Sequence, residues 1–211
     1  MISRFAFTAA LALASAPLYA TTYTLEPGHT QGVIRWNHLG FVNPTAQFSM
    51  VEGTLDFDEA APARSSVTVS IPLASMSTGV PDLNDYLRSV DFFDLDQYPT
   101  ATFKSTMVEK NGAGGRLKVT GNLTVHGITK PIILDVTVNK VGTNPRNHLP
   151  TVGFEAMATL NRSDFGLGLY VPQVSDEIRL HITTEAAEAK GYAAYLKAEA
   201  AKEAARAAEK K

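Results

Sequence analysis

The sequence predicts an all-β protein: one antiparallel barrel of eight strands with an apolar interior. Between Thr21 and Glu185, apolar and polar residues alternate with period two in short segments, the pattern of strands with one face buried and one wet. Gly, Pro, Asn and Asp punctuate these segments closely enough to make turns rather than long crossovers. The 211-residue chain has no cysteine, which excludes a disulfide, a lipoprotein thioether and thiolate metal sites, so the core must hold by packing.

The strands are expected at Gln31 to His38, Ala46 to Phe57, Ser66 to Pro72, Ala101 to Val108, Arg116 to Val125, Pro131 to Asn139, Thr151 to Asn161 and Glu177 to Thr184. Val67, Val69 and Ile71 share one face of their strand, as do Leu117, Val119, Leu123 and Val125. Asn111, Gly112, Gly114 and Gly115 supply positive-φ positions for a hairpin between the fourth and fifth strands, and His126 to Lys130 makes the next turn. Pro81 to Val90 breaks the alternation. Leu83, Leu87 and Val90 recur there at helical spacing, with Pro81 in the first turn, so a short helix is expected over the barrel.

Both ends differ from the middle. Residues 1–20 read as a secretory signal: Arg4, then an apolar run from Phe5 to Leu13, then small residues. Cleavage is expected after Ala20, with Ala16 as the alternative, giving a periplasmic protein with no integral membrane anchor. Residues 21–185 form the domain. Residues 186–211 are rich in Ala, Lys and Glu and are expected to be a helical or fraying tail with a hinge at Gly191. The whole chain has a formal charge of −2; removing Arg4 and a tail of net +2 leaves about −5 for the domain. Such a charge disfavours a nucleic-acid partner.

The interior decides the function. Ile34, Trp36 and His38 share a parity that points inward, and Phe48, Leu55, Phe57, Phe103, Leu123 and Phe154 are the other large inward candidates. Phe92, Phe93 and Phe165 are placed to close an end. An eight-stranded barrel is either filled by its side chains or left with room for one small ligand, and both readings stay open on these residues alone.

Chemistry finds little support. No Gly-x-Ser-x-Gly elbow is present, and Arg162, Ser163 and Asp164 read as a turn with an ion pair. Asp91, Asp94 and Asp96 lack the calcium-loop spacing. Of five histidines, His29 and His38 lie nine residues apart at the two ends of one strand region and cannot share a metal, so no metal site and no cofactor are expected. His38 is either a core imidazole or a polar contact for a ligand. An enzyme using His38 or His29 as acid or base, and a filled barrel acting as an interaction protein, are the alternatives.

Several motifs, taken in order, resemble the YceI family of bacterial periplasmic proteins. They are His29-Thr30, His38-Leu39-Gly40-Phe41, Leu87-Arg88-Ser89, Asp91-Phe92-Phe93-Asp94, Tyr98 to Ser105, Gly121 to Pro131, Arg162 to Gly166 and Val174-Ser175-Asp176. The resemblance implies a lipocalin-like, extended eight-stranded barrel whose tunnel takes up a polyisoprenoid or a similar long-chain amphiphile, and an isoprenoid quinone or a long-chain amide is the other ligand expected. The resemblance also implies a binding or carrier protein rather than an enzyme, with the inward residues as ligand contacts and a homodimer as an expected assembly. Trp36 stands where a smaller aliphatic residue is usual, Tyr86 where many members have His, and Leu83-Asn84 where some have Arg-Asp. A tunnel shortened or blocked by Trp36 is therefore expected.

Overall fold

The computed structural model describes residues 20–209. The expected signal segment, apart from Ala20, lies outside them. Ten strands form: β1 (Thr21–Leu25), β2 (Gln31–Arg35), β3 (Thr45–Phe48), β4 (Glu52–Phe57), β5 (Ser66–Pro72), β6 (Thr100–Lys110), β7 (Arg116–Val125), β8 (Ile128–Thr143), β9 (Pro150–Asn161) and β10 (Glu177–Glu188). β1, β4, β5, β6, β7, β8, β9 and β10 follow one another antiparallel, and β1 pairs back onto β10, so eight positions close into a barrel with no free edge in the ring.

The two additional strands arise from breaks in that ring. β1 and β2 both run antiparallel to β10, separated by a 3₁₀ turn at Pro27–His29, so they are one interrupted strand. The expected strand from Ala46 to Phe57 is likewise split, because Met50 adopts a left-handed φ of 55°. β3 then pairs with β2, and β4 with β1.

Three expectations are corrected in detail. The strand begun at Gln31 ends at Arg35, since His38 only bridges to Val42 and Val174. The turn after β7 is tighter than His126 to Lys130: Val125 faces Ile128, and His126 and Gly127 both take positive φ, the geometry of a two-residue hairpin. β10 continues to Glu188, with Ala186 and Ala187 buried, rather than ending at Thr184.

Inward side chains of β4 to β10 pack as one cluster that includes Leu55, Phe57, Phe103, Leu117, Val119, Leu123 and Phe154. Phe57 and Phe154 meet edge to face at 5.4 Å. At Gly121 a Cβ would lie 2.4 Å from Cζ of Phe103, so only glycine lets that ring lie flat against the wall.

A second cluster caps one end. α1 (Pro81–Arg88) starts with Pro81 in its first turn and buries Leu87 against a group containing Phe48, Leu73, Met76, Phe93 and Leu167. It stops at Arg88, two residues short of Val90, and Ser89 leaves in an extended conformation. α2 (Ala189–Glu209) follows β10 directly. The Glu188 carboxylate accepts from the backbone N–H groups of Lys190 and Gly191, satisfying orphan donors of the first turn. Gly191 is not a hinge: it lies inside α2, and a Cβ there would sit 2.8 Å from Leu149, so it marks close packing of the helix against the barrel.

Candidate functional site

The barrel encloses a cavity of about 400 Å³, lined from all ten strands and narrowed at one end, rather than closed, by α1. The filled-barrel alternative is thereby overturned: the inward side chains leave room between them. The nine inward candidates, Ile34, Trp36, His38, Phe48, Leu55, Phe57, Phe103, Leu123 and Phe154, lie on its wall, and so do Phe92, Phe93 and Phe165, the residues expected to close an end. Period two brings the strand residues among them together, because each strand contributes one parity to the lumen, whereas Trp36 and His38 follow β2, Phe92 and Phe93 follow α1, and Phe165 ends a 3₁₀ turn.

Ala101 and Val108 both line the cavity, so it follows β6 for seven residue steps, roughly 20 Å at the usual strand rise. That volume drawn out over that length is a bore about one hydrocarbon chain wide. Its walls are overwhelmingly aliphatic and aromatic, suited to an apolar molecule and lacking groups to grip a charged one.

Arg162 is the one charged side chain among the described residues of the lining, and its charge is already engaged. Nε donates to the Ser175 carbonyl at 2.9 Å, Nη2 to Val174 at 3.0 Å and Nη1 to Leu167. Burial pushes its pKa down, with Asp176 opposing. The expected ion pair with Asp164 is corrected. Arg162 is bonded to backbone carbonyls, while Ser163 donates through its hydroxyl to Asp176 at 2.6 Å. These contacts pin the loop between β9 and β10 over the barrel end.

Thr30, Gln31, Ser65, Ser66 and Thr184 are polar lining residues at the end away from α1, and three more mark the mouth beside α1. His38, Tyr86 and Tyr170 line the cavity and are also exposed. The Tyr86 and Tyr170 hydroxyls lie 3.0 Å apart, and that bond, helped by burial, pushes the Tyr86 pKa up to about 12. Tyr170 was not singled out from sequence, and Val174 only within the Val174-Ser175-Asp176 motif and not as a lining residue, because their loop has no periodicity to assign a face.

His29 and His38 are separated by β2, as their spacing requires. His38 has no side-chain hydrogen bond or ion pair among the described residues. His29 instead meets carboxylates: Glu26, His29 and Glu185 have ligand atoms within 4.8 Å of one another, outside the cavity. Glu185 comes from β10, so sequence spacing could not reveal the grouping. His29 Nδ1 is 3.1 Å from Glu26, and Glu185 accepts from Asn144 at 2.8 Å, so all three side chains already have partners.

A closed antiparallel barrel around an apolar lumen has the architecture of proteins that hold an apolar ligand. A YceI-like domain model matches residues 23–186, and the chain belongs to the YceI-like family. A UPF0312 protein of Pseudomonas aeruginosa is 35% identical over 184 residues, covering 84% of this chain and 95% of the relative. The crystal structure of BcnA from Burkholderia cenocepacia superposes with a TM-score of 0.69 at 25% identity, over 76% of this chain and 98% of that one. A polyisoprenoid binding domain from Saccharophagus degradans has a TM-score of 0.62 at 15% identity, over 80% of this chain and 99% of that domain, a likeness of fold.

Proposed function

We propose that the protein is a periplasmic carrier or store for a long apolar lipid of the polyisoprenoid or isoprenoid-quinone class, held in the barrel lumen. The observation that carries the reading is the lumen itself: a bore of about 400 Å³ whose one charged lining residue, Arg162, is spent on backbone carbonyls. A ligand there gains by apolar burial, about 25 cal/mol per Å² before ordering costs. Ile34, Trp36, Phe48, Leu55, Phe57, Phe103, Leu123 and Phe154 would flank the chain, with Phe92, Phe93 and Phe165 near its ends and His38 beside its head group. The polyisoprenoid binding description of the Saccharophagus degradans neighbour supports the ligand class. Export is supported by the position of β1, which begins at Thr21, so a cut after Ala20 would leave the ring whole.

Native mass spectrometry of the purified protein tests the reading. A bound lipid that organic solvent removes, and whose return quenches Trp36 fluorescence, is the expected result. A protein that carries no lipid and shows no quenching with any isoprenoid would overturn it.

A further inference from the structure

Two loops at the cavity mouth expose apolar side chains that nothing among the described residues covers. Phe41 is 86% exposed, Leu39 50%, Val42 54% and Tyr170 54%, with Leu169 beside it. They form one rim. The turn around Phe41 is held by His38 N–H donating to the Val42 carbonyl and Phe41 N–H donating to His38, and it is tied to the second loop by Leu39 N–H donating to Gln173. Leu39 and Tyr170 hold left-handed φ values of 56° and 64°, conformations that bulky residues avoid unless their surroundings impose them. The rim is thus a built surface rather than a loose one. It is continuous with the cavity, because His38, Tyr170 and Val174 of the same two loops line the lumen.

Its charge pattern selects the partner. Residues 37–44 and 166–175 contain no Asp, Glu, Lys or Arg, although charged residues are 19% of the chain. α1 and the turn after it add Asp82, Asp85, Asp91 and Asp94 on the flank, while Arg88 is occupied with the Ala74 and Met76 carbonyls. An uncharged apolar rim with a tyrosine at its edge matches the interface of a bilayer, where apolar tips enter the acyl boundary and amphipathic rings stay at head-group level. The acidic flank gives no attraction to anionic lipid.

We propose that this rim docks the cavity mouth onto a zwitterionic lipid bilayer, so that a lipid passes between membrane and lumen without crossing water. The proposal rests on the lumen being a lipid site and names where that lipid is exchanged. A tightly seated second copy would cover the same opening, which favours the bilayer as occupant.

Flotation of the purified protein with phosphatidylethanolamine and phosphatidylcholine vesicles tests it. Wild type should float, with little change when phosphatidylglycerol or salt is added. Phe41→Asp should weaken the association about tenfold or more, by losing the apolar anchor and placing a charge at the interface. Ile133→Asp, an equally apolar exposed site on the outer barrel wall, should change nothing. Failure of wild type to float, an equal loss in both variants, or binding that needs anionic lipid and vanishes in salt would each overturn the proposal. So would Phe41→Asp splitting a dimer, seen by sedimentation, with flotation intact. Lipid loading from organic solution, followed by native mass spectrometry, separates the two readings: Phe41→Asp should still load. An empty lumen in wild type that nonetheless floats would sink the lipid cargo and leave the docking surface.

Discussion

The hydroxyls of Tyr86 on α1 and Tyr170 in the loop before β10 lie 3.0 Å apart and tie the cap helix to that loop across the cavity mouth. Either hydroxyl can act as the donor in this bond. The folded state holds the Tyr86 proton more tightly than the unfolded chain does. This contribution is whole below pH ~10 and is lost as pH rises through about 12. In Tyr170→Phe the Tyr86 titration, followed by the NMR shift of its Cζ, should move down toward the ordinary tyrosine range. Lipid exchange from the mouth should also become faster.

Trp36 lines the lumen near the mouth, beside Ile34 and His38. Trp36→Val removes an indole from the wall and enlarges the cavity. The lipid that co-purifies with this variant should be longer than that of wild type, read as a mass increase of one or more isoprene units. An unchanged mass would place Trp36 outside the region that limits chain length.

Gly121 is a packing glycine, not a turn glycine. Adding a methyl there places it 2.4 Å from the Phe103 ring and 2.7 Å from the Lys104 carbonyl, so the ring must swing into the lumen. Gly121→Ala should cost about 1–3 kcal/mol, measured by urea unfolding. It should also shorten the lipid bound, the opposite sign to Trp36→Val.

Asp58 closes the β4–β5 connection at the other side of the barrel. Its carboxylate accepts from Ala61 N–H at 2.8 Å and from Arg64 Nε at 2.8 Å, and these bonds, the Ala61 N–H first, hold its pKa below the ordinary carboxylate value. A depressed folded pKa stabilises the protein above the unfolded value and loses that contribution as pH falls through the folded one. Melting temperature should therefore drop below pH 4 in wild type. In Asp58→Asn this acid limb should be shallower, from a lower starting stability at pH 7.

Legibility in the sequence followed side-chain size. Leu117, Val119, Leu123 and Val125 alternate with polar partners and could be assigned to the lumen directly, as could Phe48 and Phe57. β1 was invisible, because Tyr23 and Leu25 are its only inward side chains and Pro27 follows at once. The end of β10 was hidden for the opposite reason: Ala186 and Ala187 resemble the alanines of the helix after them, yet both are buried. The mouth was the least legible part. Tyr170 and Val174 reach the cavity through a loop whose path is set by Arg162, and no local pattern encodes carbonyls gathered around a guanidinium.

The seam between β1 and β10 makes the barrel a structure that only a finished chain can have. β1 finds β4 as soon as Phe57 has been synthesised, but its other edge waits for Ala186 to Glu188, about 130 residues after Phe57. Until then a growing or partly translocated polypeptide is an open sheet with an exposed edge and an apolar face. This is the species that invites wrong partners. Closure joins the two ends of the domain, the most distant contact its length allows, so sealing the ring is expected to be late and slow.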